Sequence, residues 1–192
     1  MKLSLCIAGI LAAGLVSGCA VQHKALAQYG DYTLEGEILS GASFEHQGLA
    51  NPGSLPGCVA STISNDSVSL TDATGSFVGG YTGNYYHSNN SREVGGGNVL
   101  QYVSDSGSEV VAKGSTQYTS GMVQRSVRFS VRIKDDGEKR SYVFSNLQQA
   151  QLSTGYANNT GYNPIHARPG GGAEHVMLSL KQVAASVDAC MN

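Results

Sequence analysis

Tryptophan is absent from this 192-residue chain, and charged residues supply only 14 % of it. No apolar run reaches the ~20 residues that a membrane-spanning helix requires. The scarcity of charge, with a formal net charge of −2, leaves no basic footprint, so nucleic acid is excluded as a partner. Cysteine is also scarce, four in all, and no CxxC spacing marks a redox or zinc motif. The five histidines are His23, His46, His87, His166 and His175, and no two share an i, i+4 spacing. His166 and His175 alone could converge, without a third ligand to complete a site, so no metal is expected. There is no GxSxG nucleophile elbow. The glycines of "HARPGGGAEHV" lack the spacing of either nucleotide fingerprint and read as a linker and helix start. The sequence calls for no catalytic residue and no cofactor.

What is present begins at the N-terminus. Lys2 is followed by an apolar run from Leu3 to Val16, too short to span a bilayer, and then by the small residues Ser17 and Gly18. That order is the layout of an export signal. Cys19 follows directly. The stretch "LVSGC", Leu15 to Cys19, resembles the lipobox of bacterial lipoproteins. The resemblance implies cleavage before Cys19, a diacylglyceryl thioether on its sulfur and acylation of the new N-terminus. Acyl chains contribute about 0.8 kcal/mol per buried CH2, so two or three of them hold a protein to a membrane durably. In that family the residue after the cysteine steers sorting, and Ala20 in place of Asp implies the outer membrane, with either face possible.

Loss of residues 1–18 leaves roughly 170 residues, enough for one domain with a real core. Residues 19–30 are short, polar and alanine-rich, and read as a membrane-proximal tether. Residues 31–192 read as one domain. Cys6 leaves with the signal and Cys19 is alkylated, so Cys58 and Cys190 remain. In an oxidising compartment such a pair is most simply a disulfide.

Within the domain, "YTLEGEI" alternates as a half-buried strand, and the segment from Ala42 to Pro56 reads as a loop. "CVASTIS" and "SVSLT" flank Asn65-Asp66 and suggest a hairpin carrying Val59 and Ile63. "NVLQYV" and "EVVAK" bracket Asp105-Ser106-Gly107 as a second. The clearest alternation is "VQRSVRFSVRI", which sets Val127, Phe129, Val131 and Ile133 against Arg128, Ser130, Arg132 and Lys134. It turns at Asp135-Asp136-Gly137 and returns through "YVFSNLQQAQL". After a loop over 153–172 the period changes. Val176, Leu180, Val183, Val187 and Cys190 or Met191 form one helical stripe, with Lys181, Gln182, Ser186 and Asp188 opposite. The predicted fold is α+β: an antiparallel sheet of about six strands with a C-terminal helix packed on it.

Two segments, "GGYTGNYYHSNN" and "TGYANNTGYNPIH", share a composition of Tyr, Asn and Gly. Tyrosine offers rigid amphipathic contact area, and Asn and Gly offer adaptable hydrogen bonding, so such loops suit recognition. Tyr85, Tyr86, Tyr156 and Tyr162 are therefore candidate binding residues, for a glycan or an envelope protein. The function that these readings imply is a lipid-anchored envelope component, non-enzymatic, acting in assembly or binding. The competing class is a hydrolase or modifying enzyme of cell-wall or surface polymers, for which the sequence singles out no acid–base pair.

Overall fold

Hydrophobic alternation at period two decides the centre of the fold. In the computed structural model, which describes residues 26–48 and 54–192, the segment Val123–Asp135 forms β9 of a ten-strand set. Its even-spaced Val127, Phe129, Val131 and Ile133 are buried, while Arg128, Arg132 and Lys134 are exposed on the other face. β10 (Lys139–Gln151) returns beside it and β8 (Glu109–Ser120) flanks it on the other side. With β1 (Asp31–Glu35), β2 (Ile38–Gln47) and β7 (Leu100–Val103) these strands make one antiparallel sheet. Its order is β1-β2-β10-β9-β8-β7. Two further pairs stand apart from it. One is β3 (Ser67–Asp72) with β6 (Asn90–Gly95), and the other is β4 (Phe77–Val78) with β5 (Tyr85–Tyr86).

One sheet face is covered by helix α2 (Ala173–Met191), which packs against β8 and β2. Val176, Met177, Leu180, Ala184 and Val187 have no solvent exposure. Burying a side chain of the Val, Leu or Met type stabilises by about 1.5–3 kcal/mol, so this stripe is the main reason the helix stays down. Beneath it Phe144 makes edge-to-face contacts with Phe129 and Phe44, at 5.2 and 5.7 Å between ring centroids. Leu26 is buried in the same core and Tyr29 packs against it, so packing begins ahead of Asp31. Among the described residues no helix is long and apolar enough to cross a membrane.

Three local expectations are corrected. The first hairpin does not exist. "LPGCVAST" is instead helix α1 (Leu55–Thr62), which starts with Pro56 in its first turn and the Ser54 hydroxyl accepting from Gly57 N–H. Its β-branched residues read as a strand, but Val59 and Ile63 are drawn into the common core and override that preference. The strand after it, β3, pairs with β6 rather than with residues 58–64. "YTLEGEI" is two strands joined by a tight turn, where Gly36 holds φ +63°, a conformation that glycine adopts at no steric cost. And β2 runs on through Gln47, with Phe44 buried, where a loop from Ala42 was expected.

Cys58 of α1 and Cys190 of α2 form the disulfide, with Cα atoms 5.6 Å apart. The bridge joins helix to helix rather than helix to strand. Asp188 also departs from the expected polar face. Its carboxylate turns in to meet Arg140, whose side chain is wholly buried.

The glycines before α2 have a packing reason. A Cβ on Gly171 would collide with the His166 carbonyl, and one on Gly172 (φ +89°) with the Tyr118 hydroxyl. Tyr118 bonds Gln149 Oε1 at 2.5 Å and stacks on His175 at 5.3 Å. The segment is a close-packed entry to the helix rather than a loose linker.

Candidate binding surface

The β4–β5 pair carries exposed rings. Phe77 and Val78 pair with Tyr86 and Tyr85, and the residues between fold back through Gly79 N–H to Asn84 O and Gly83 N–H to Gly79 O, both 2.8 Å. Gly79 packs closely: a Cβ there would lie 2.6 Å from the Thr82 hydroxyl and 2.8 Å from the Tyr86 ring, so those side chains would have to shift. Across the pair Phe77 and Tyr86 stack at 5.0 Å with planes 16° apart.

The second tyrosine segment is brought to the first by a buried polar hub. Asp72, at the end of β3, accepts from Asn90 Nδ2 at 2.8 Å, Thr74 N–H at 2.9 Å and Asn159 N–H at 3.0 Å. Those bonds, the Asn90 amide foremost, hold its carboxyl well below the usual range. Asn159 in turn donates to the Thr71 and Gln151 carbonyls. With this loop fixed, the Tyr85 hydroxyl reaches Tyr156 at 3.3 Å and His87 Nδ1 at 3.4 Å. The two hydroxyls part in acidity: Ser76 and Tyr156 lower Tyr85, and Tyr85 raises Tyr156.

The result is two groups of exposed rings, since neighbouring residues of a strand point to opposite faces: the Phe77–Tyr86 stack on one face of the pair, and Tyr85 with Tyr156 on the other. Tyr156 is 73 % exposed, Phe77 59 %, and Tyr85 and Tyr86 about half. Tyr81 projects from the connecting turn, fully exposed. Residues 73–91 contain no Asp, Glu, Lys or Arg.

Tyr162 is different. It is half-buried against Val68, Leu70 and Ala150, bonded to the Ser126 hydroxyl at 2.8 Å and covered by the Arg128 guanidinium at 4.5 Å. It holds the β3–β6 pair onto the sheet and does not join the other three. Phe77 and Tyr81 were missed in the sequence, although "FVGGY" lies in the same uncharged stretch and pairing with "YY" was the available signal.

One acid–base pair that would serve the hydrolase reading is a histidine with a carboxylate. His46 Nδ1 lies 3.3 Å from Asp188 Oδ2, but Asp188 is also held by Arg140, and His46 packs edge-on to the Tyr142 ring at 5.4 Å. Burial pushes Tyr142 up to about 12. Among the described residues no hydroxyl or thiol is hydrogen-bonded to His46, and no cluster of three His, Cys, Asp or Glu side chains is placed to hold a metal. Cys19 lies outside the described residues. No family model, no curated protein and no solved structure matches the chain.

Proposed function

We propose that the protein is a lipid-anchored component of a bacterial envelope, held at the outer membrane through Cys19, and that it works by binding rather than by catalysis. The observation that carries this reading is the exposure of five rings on and beside one uncharged hairpin, the Phe77–Tyr86 stack, the Tyr85–Tyr156 pair and Tyr81 in the turn. Aromatic residues are costly to leave in water and dominate the energy of recognition surfaces. The lipobox-like stretch before Cys19 supports the address, and a disulfide in the folded domain suits an oxidising compartment. The partner is a protein or glycan of the envelope.

Two measurements test it. Radiolabelled palmitate enters the wild type and not Cys19→Ser, and the wild type fractionates with outer membranes; a wholly soluble wild type refutes the anchor. In-cell crosslinking from a photoreactive residue at position 81 captures a discrete envelope component. Capture unaffected by the change Tyr85→Ala/Tyr86→Ala/Tyr156→Ala refutes the surface.

A further inference from the structure

The face of the large sheet turned away from α2 carries a second feature, separate from the exposed rings. Side chains on one face of a sheet align in rows across neighbouring strands. One row here runs through Thr33, Gly41, Ser145, Ser130 and Lys113. Thr33 pairs with Gly41, Ser145 with Ser130, and Ser130 with Lys113, while Gly41 and Ser145 sit one step beyond the Ala42–Phe144 pair. All five line a groove of about 930 Å³. That lies within the ~300–1,000 Å³ typical of ligand sites. At about 4.8 Å per strand, the row spans roughly 19 Å from β1 to β8.

Local structure shapes its polar lining. A bulge in β10 sets Asn146 and Leu147 opposite Phe129 alone. Leu147 turns into the core, and Asn146, at φ 54°, donates to the Ser130 hydroxyl at 3.2 Å. The bulge also places Gln148 beside Arg128, whose Nε donates to it at 2.8 Å.

Charge is distributed unevenly along the row. Lys113 is exposed and makes no ion pair among the described residues, whereas Arg132 and Lys134 on the same face both meet Glu109, at 3.2 and 3.5 Å. Arg128 faces Ser115, two positions from Lys113, so the two cations are diagonal neighbours about 7–8 Å apart at the backbone. The lining carboxylate is Glu35, on β1 at the opposite end from β8.

We propose that this groove binds an acidic glycan, an extended hydroxyl-rich chain whose carboxylate is met by Lys113 with Arg128 behind it. β2, β10 and β9 each have a neighbour on both sides, so the middle of the groove leaves no backbone edge for a peptide to join as a further strand, the edge being at β1. Hydroxyls of Thr33, Ser130 and Ser145 and the amides of Asn146 and Gln148 offer hydrogen bonds at intervals beside the apolar Val143, a mixture that suits the hydroxyls and the C–H face of a sugar. The Arg128 guanidinium is held by Gln148 and lies over the Tyr162 ring, so Lys113 is the cation placed to meet the carboxylate, and the phosphorylated probe tests the choice of anion.

Calorimetry with the full-length protein in detergent tests this, using oligogalacturonate, oligomaltose of the same length and a phosphorylated mannan oligomer. The expected result is binding of oligogalacturonate that weakens as salt rises, about tenfold or more above oligomaltose, and weakened about tenfold by Lys113→Gln. Lys113→Arg restores it, and Ser130→Leu, which fills the floor, abolishes it. Tyr85→Ala/Tyr86→Ala/Tyr156→Ala leaves it intact, which separates this site from the proposed ring surface. Equal binding of oligomaltose, preference for the phosphorylated oligomer, no binding of any probe, or indifference to Lys113→Gln overturns the proposal. Should Ser130→Leu fail to fold, the exposed Lys113→Gln still decides.

Discussion

Arg140 on β10 and Asp188 near the end of α2 share a hydrogen bond across the sheet–helix interface, and the guanidinium that makes it has no solvent exposure. The other edge of the same fork grips Asp135 Oδ2 through Nε at 3.0 Å and Nη2 at 2.9 Å. One buried cation therefore ties the β9–β10 turn to the last turns of the helix. Removing it leaves two carboxylates without their counter-charge, and such a loss costs about 3–5 kcal/mol. Arg140→Ala is expected to destabilise by that amount in urea unfolding followed by circular dichroism. Arg140→Lys rescues only a fraction, since one ammonium cannot serve both partners. A stability of Arg140→Lys equal to wild type would show that charge alone, and not the fork, matters.

The disulfide reinforces the same end of the molecule. Cys58 and Cys190 are 132 residues apart in sequence, and the chain-entropy model assigns about 5 kcal/mol to closing a loop of that length, often less in practice. Cys190→Ser is expected to lower the melting temperature by up to about 10–20 °C, because a domain of this size shifts roughly 2–4 °C per kcal/mol. An unreduced digest analysed by mass spectrometry should yield the two peptides linked. Two alkylatable thiols in the unreduced folded domain would contradict the pairing.

The depressed carboxyl of Asp72 makes stability depend on pH in one direction. Unfolded, the group titrates near 4; folded, the three hydrogen bonds it accepts keep it ionised to lower pH. Its stabilising contribution is thus fully present above about pH 4 and is lost as pH falls through the folded value. Melting temperatures between pH 6 and pH 2 should fall less steeply for Asp72→Asn than for wild type, with the variant less stable at pH 6. Parallel curves would mean that Asp72 does not carry the effect.

How much of this was legible beforehand differs by element. The alternation of β9 and the three-to-four spacing of α2 were each long enough to identify the element and its buried face. The Cys58–Cys190 pairing followed from elimination among four cysteines. α1 was hidden because Val59, Thr62 and Ile63 favour strands locally, while a cap at Ser54 and burial in the core decide otherwise. The true end of β2 was masked by the turn-forming residues that follow it. Buried Arg140 carried a signal, since it shares parity with Tyr142 and Phe144 in β10, but an arginine in an alternating run is ordinarily assigned to the wet face. The Lys113 groove needs the register of five strands, three of them distant in sequence, and no local pattern contains that.

The tyrosines test the division between surface and structure most directly. Tyr85 and Tyr86 are about half exposed and Tyr156 more so, so replacing each by Ala is expected to change stability within about 0.5 kcal/mol. At a recognition surface the same truncations each cost about 1–2 kcal/mol or more of binding. Tyr162→Ala should behave oppositely. It removes a ring packed on Leu70 and covered by Arg128, and it leaves the Ser126 hydroxyl without its partner. A loss of about 1–3 kcal/mol in stability is expected, with capture of the partner retained once the variant is folded. Thermal melts and in-cell crosslinking on the triple variant and on Tyr162→Ala, run side by side, separate the two quantities. If the triple variant melts far below wild type, the three rings belong to the packing of the domain. If it melts normally and still captures the same partner, the contact lies elsewhere on the molecule.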